Sequence, residues 1–151
     1  MEGIPTVSSV APLETSQVHV MEARKEELGA DHPDTLTSMA NLASTYWNQG
    51  RGQEAENLFV LVMEATKEKL GADHPDTLTS MANLALTYKD QKRWSEAFTL
   101  LSEAVQGMQY VLGPDHPQVS KYMLEQVKMK DYLHNPVKRS MVSDNLCPLL
   151  C

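Results

Sequence analysis

The chain has 151 residues, a length that suits one domain, and a formal net charge of −7 from 13 Lys and Arg against 20 Asp and Glu. That acidity, with no long basic run, argues against a general nucleic-acid binder, which needs a basic face to displace counterions. No stretch of eighteen apolar residues is present, so no membrane span is expected.

Two Phe, two Trp and five Tyr against plentiful Ala, Leu and Met favour helix over strand. Met1 to Leu13 carries neither a charged n-region nor a continuous apolar run, so residues 1–11 read as an unstructured lead and not as a secretory signal. From residue 12 a helical segment runs to Gly29, and it opens the main feature of the chain. Val20 to Ala43 recurs at Val62 to Ala85, identical except for Arg24 against Thr66 and Glu27 against Lys69. The junction Leu-Gly-x-Asp-His-Pro stands at Leu28, Leu70 and Leu112, always 42 residues on. A fixed period of this size marks an array of supersecondary units.

Each unit reads as two helices. Asp31-His32-Pro33-Asp34 is a helix start, with a polar cap, proline in the first turn and an acid at the positive end of the dipole. Leu36, Met39, Ala40, Ala43 and Tyr46 then form one apolar stripe. Gly50 and Gly52 turn the chain, and a second helix near Gln53 carries Ala55, Leu58, Phe59, Val62, Met63 and Leu70 before Gly71 closes it. Residues 12–30 then form a half repeat, 31–72 and 73–114 full repeats, and 115–133 a degenerate capping helix. In that last helix Gln126, Val127 and Lys130 stand where Leu, Ala and Tyr are due. Residues 134–151 hold Asn135-Pro136 and then no periodicity, which predicts an unstructured tail. Its Cys147 and Cys151 are the only cysteines. Their confinement to the end speaks against a disulfide framework and for a reducing, cytoplasmic location.

Leu42, Ala43, Tyr46, Gly50, Ala55 and Phe59 match the tetratricopeptide pattern. So do Leu84, Ala85, Tyr88, Ala97, Leu101 and Ala104, with Lys92 in place of the turn glycine. With the 42-residue period, Leu13 to Leu133 resembles the long tetratricopeptide units of kinesin light chains. It also resembles the near-identical arrays of fungal and bacterial nucleotide-binding, immune-receptor-like proteins. The resemblance implies an all-α, right-handed solenoid of antiparallel helical hairpins, about six helices, acting as a cytoplasmic protein-binding scaffold.

His32, His74 and His116 recur one per unit, too far apart for one zinc ion, and read as helix caps, so no metal site is expected. No phosphate loop and no nucleophile–base set is present, and neither an enzyme nor a cofactor is expected. The expected partner is a protein or peptide in a concave groove lined by the first helices. The outward positions there include Asn41, Trp47 and Asn48 in the first repeat and Asn83, Leu86 and Lys89 in the second. The closing helix adds Lys121, Leu124 and Lys128. In the families resembled, Asn at the place of Asn41 and Asn83 grips peptide main chain. A duplicated surface Asn, or one bonding an adjacent helix, is the other reading. Trp47 is either an anchor or seam packing. Lys121 matches the lysine of a carboxylate clamp, whose other cations are replaced by Thr37 and Glu125. The alternative is self-assembly, a homo-oligomer through the N-terminal helix, whose Val18 and Val20 lack a cover, or a fragment of a larger repeat-containing regulatory protein whose missing helix would cover them.

Overall fold

The computed structural model describes residues 11–143. Residues 1–10, and the tail with Cys147 and Cys151, lie outside the described residues. Seven helices and no strand are found among the described residues: α1 (Ala11–Leu28), α2 (Pro33–Asn48), α3 (Gly52–Leu70), α4 (Pro75–Asp90), α5 (Trp94–Leu112), α6 (Pro117–His134) and α7 (Pro136–Ser143). The chain divides into two compact units, Met1–Gly71 and Ala72–Cys151.

The first unit packs α1 and α3 on α2. Leu36, Leu42 and Ala43 of α2 and Ala55, Phe59 and Val62 of α3 are buried, so the apolar stripes of the two helices are removed from water together. Leu70, at the end of the α3 stripe, stays exposed. Arg24 of α1 donates to Ser38 Oγ at 2.6 Å near the start of α2, while Gln17 and Glu14 bond Thr45 and Gln49 near its end. α1 and α2 are therefore antiparallel.

The second unit packs α4 on α5, α5 on α6, and α6 lightly on α7. Its core joins Leu78, Ala82 and Ala85 of α4 with Ala97, Leu101, Ala104 and Met108 of α5 and Val119, Tyr122 and Met129 of α6. The helices approach closely at Gly107, where a Cβ would lie 2.5 Å from Leu78 Cδ2. In α6, Gln126 takes the place of a core leucine and donates to Ser102 Oγ of α5 at 2.9 Å, so a hydrogen bond replaces an apolar contact.

Equivalent turns close α2 and α4. Arg51 N bonds Tyr46 O and Gly50 N bonds Trp47 O; Arg93 N bonds Tyr88 O and Lys92 N bonds Lys89 O. This double pattern requires a left-handed residue after the helix, and Gly50 (φ 75°) supplies it. Lys92 adopts the same conformation with φ 66°, so the hydrogen bonds hold the turn in spite of a side chain that disfavours it. Gly52, read as part of the turn, is instead the first residue of α3.

Helix α7 stands where the sequence predicts an unstructured tail. Asn135 Oδ1 accepts from Val137 N and Lys138 N, and Pro136 occupies the first position, so a sound helix start is present. What the segment lacks is an apolar stripe long enough to reveal it.

Candidate functional site

His32, His74 and His116 each cap a helix. The imidazole Nδ1 accepts the backbone N–H two residues on, from Asp34, Asp76 and Gln118, at 3.1–3.2 Å. The cap acceptor is thus the histidine and not the aspartate before it, and the following proline needs no partner for its missing N–H.

In the first unit Asn41 is exposed on α2, and its side chain has no hydrogen-bond partner among the described residues; its carbonyl accepts from Thr45 Oγ1 at 3.2 Å. Trp47 is half-buried and Asn48 exposed. Beside them Arg51 lies over the Tyr46 ring at 4.1 Å and binds Glu14 and Glu54. Those two carboxylates, Glu54 foremost, hold the guanidinium in its charged form. Arg93 repeats the device in the second unit, 4.1 Å above Tyr88 and paired with Glu96 at 2.6 Å.

In the second unit side chains bridge α4 and α6. Gln118 Nε2 donates to Thr79 Oγ1 at 3.0 Å, Tyr122 Oη donates to Asn83 Oδ1 at 3.4 Å, and Lys89 Nζ binds Glu125 at 2.7 Å. The pairings advance in step along both helices, so α4 and α6 run parallel. Asn83 is half-buried and uses its amide oxygen within the protein; its amide nitrogen has no partner among the described residues. Leu86 packs against the core, which makes it chiefly structural. Lys121 is exposed, 5.3 Å above the Tyr122 ring.

Glu125 also receives Lys128 Nζ at 2.7 Å, so one carboxylate serves two lysines. The Lys128 hydrogen bond, then that of Lys89, hold the Glu125 carboxyl below its ordinary range. A depressed carboxylate pKa adds stability above the unfolded-state value, and the contribution is lost as pH falls through the folded-state value. Thermal melts of the wild type are therefore expected to fall between neutral pH and about 3. Glu125→Gln should be lower at neutral pH and lose less on acidification; equal acid limbs for the two proteins would contradict the pairing.

Next to this triad Trp94 and Tyr132 stack, ring centres 3.9 Å apart. Two clefts of about 400 and 300 Å³ share the stack. Lys89, Lys92, Arg93, Lys128, Lys138 and Arg139 line them together with Glu96 and Asp131, which pair with Arg93 and Lys138. Trp94 Nε1 is buried and meets no acceptor among the described residues. The sequence pattern points to Lys89 and Lys128 but not to the aromatic stack between them, because Trp94 and Tyr132 lie on different helices and share no period. Among the described residues no group of three His, Cys, Asp or Glu is placed to hold a metal ion, and no helix is long and apolar enough to cross a membrane.

Comparison with known proteins gives a consistent picture. A tetratricopeptide repeat pattern matches residues 14–60 and 40–109. The nearly identical TPR-like repeats of a kinesin-light-chain candidate from Podosopora anserina superpose with TM-score 0.74 at 28% identity, covering 80% of this chain and 57% of that one. A variant of the same protein gives 0.75 at 27% identity, with 82% and 57% covered. BtubC (BKLC) from P. vanneervenii shares the fold, with TM-score 0.74, 22% identity, and 89% and 53% covered. The chain thus spans little more than half the length of these solved chains. No curated protein matches it.

Proposed function

The chain belongs to the tetratricopeptide repeat family, and on that premise we propose that it is an adaptor whose α4–α6 face takes an extended, carboxylate-bearing segment of a partner protein. The observation that carries this reading is the ladder between α4 and α6. It fixes two helices side by side and leaves the Asn83 amide nitrogen and the Lys121 ammonium on offer. An amide nitrogen can donate to a peptide carbonyl, and a lysine beside it can meet a carboxylate. The cations around Trp94 extend the attraction for acidic ligands on an otherwise acidic protein. Likeness to a kinesin-light-chain candidate supports a scaffold over an enzyme. In the first unit, exposed Asn41 and Asn48 beside Trp47 offer a second, separate contact.

The test is to isolate a partner by affinity capture and titrate its binding segment against purified variants. Asn83→Ala removes one hydrogen bond and should weaken binding roughly 2- to 13-fold. Lys121→Glu should weaken it as well, and added salt should erode the wild-type affinity. If wild type and both variants bind alike and salt has no effect, the α4–α6 face is not the contact surface.

A further inference from the structure

The second repeat departs from the first where the clefts beside Trp94 are built. Val62 to Ala85 copies Val20 to Ala43 nearly letter for letter. Beyond it Lys89 stands in the place of Trp47, Lys92 in that of Gly50 and Trp94 in that of Gly52. All three line the clefts. Of these, Lys92 is strained. It holds the turn after α4 at φ 66°, where Gly50 holds the equivalent turn at φ 75° with no side chain to clash. Strain of this kind persists only where the surrounding structure imposes it, and it gathers at functional sites. The Lys92 side chain is exposed, with its ammonium 5.9 Å from the centre of the Trp94 ring, and it pairs with no carboxylate among the described residues.

The larger cleft, of about 400 Å³, is unbalanced in charge. Lys92, Arg93 and Arg139 line it with Ser95, and Glu96, paired with Arg93, is the one acid among its described lining residues. The cations of the neighbouring cleft are better matched: Lys89 and Lys128 share Glu125, and Lys138 binds Asp131. An excess of positive charge beside a half-buried aromatic pair favours an anion of more than one charge. A carboxylate brings one charge and two oxygens. A phosphate monoester brings a charge of about −1.5 to −2 at neutral pH and three acceptor oxygens. Arginine meets such oxygens in pairs, and lysine meets them as a point charge. The volume lies at the low end of the range for ligand pockets, enough for a phosphate and a small group that carries it.

We infer that this cleft is a phosphate-binding site, in which Lys92 is the cation that no carboxylate neutralises. The group bound is a phosphate monoester, carried by a phosphorylated side chain of the partner or by a free phosphate ester. The site adds to the α4–α6 face proposed above without depending on it, since Lys92, Ser95 and Arg139 take no part in the ladder between those helices.

The experiment titrates the 151-residue chain carrying Trp47→Phe, so that Trp94 is the sole tryptophan and reports on the cleft by its fluorescence. Inorganic phosphate, N-acetyl-phosphoserine amide and N-acetyl-glutamate amide are added at constant ionic strength, which removes bulk screening as a cause. Both phosphates should give a saturable change, and the glutamate amide should bind several-fold more weakly. Tighter binding of the phosphoserine amide than of inorganic phosphate assigns the site to a phosphorylated side chain; equal or weaker binding assigns it to a free phosphate ester. Lys92→Gly gives the turn the residue that its counterpart uses, so this variant should melt no lower than its parent. Its affinity for phosphate should nonetheless fall roughly 2- to 5-fold. Lys92→Glu keeps the strain and reverses the charge, and should lose more. Asn83→Ala, which tests the peptide face, should leave phosphate binding unchanged. The inference is overturned if phosphate gives no saturable change, if the Lys92 variants bind it as their parent does, or if the glutamate amide binds as tightly.

Discussion

Leu101→Ala should cost the second unit about 2–5 kcal/mol, read as a drop in the denaturant midpoint at constant slope. Leu101 is fully buried in the core that α4, α5 and α6 share. Truncation removes its transfer free energy and leaves a void that a core packed with fully buried Ala82, Ala85 and Ala97 closes only in part. The control is a leucine in water. Leu61, 51% exposed on α3, should tolerate alanine within about 0.5 kcal/mol. If both leucines cost the same, the register that separates the core face from the wet face is wrong.

Most of this architecture was legible in the sequence because its cause is local and repeated. His-Pro junctions set each first helix, and the stripes Leu36–Ala43 and Ala55–Val62 sit where the three- and four-residue spacing puts them. The register even locates the degenerate end, where Gln126 breaks the apolar pattern and bonds Ser102 instead. What escaped depends on which side chains of different helices come opposite one another. Nothing in the spacing of Lys89 and Lys128 says that one carboxylate, Glu125, binds both, or that Tyr122 reaches the Asn83 amide. Arg51 and Arg93 are unremarkable surface residues in sequence; only the fold shows them clamped over Tyr46 and Tyr88. α7 escaped for a different reason: its start signal is clear, but eight residues are too few to display a face.

Ala85→Leu tests the same seam from the opposite direction. Ala85 has no exposed surface and lies in the cluster that α4 shares with α5. Its role is to be small: a helix pair with alanine at Ala82, Ala85, Ala97 and Ala104 can approach closely, and nearby Gly107 shows how little room is left against Leu78. Leucine has nearly the helix propensity of alanine, so the substitution perturbs packing and little else. The added branch must force a neighbour off its rotamer or push α4 from α5, at a cost of about 1–3 kcal/mol. Ser95→Ala is the matched control. Ser95 is exposed near the start of α5, and the bond it makes, from Thr99 Oγ1 to its carbonyl, survives loss of the hydroxyl. Its expected cost is within about 0.5 kcal/mol. Thermal melts of the two variants should therefore separate clearly, with Ala85→Leu several degrees below Ser95→Ala. Coincident melts would mean that α4 presents some other face to α5.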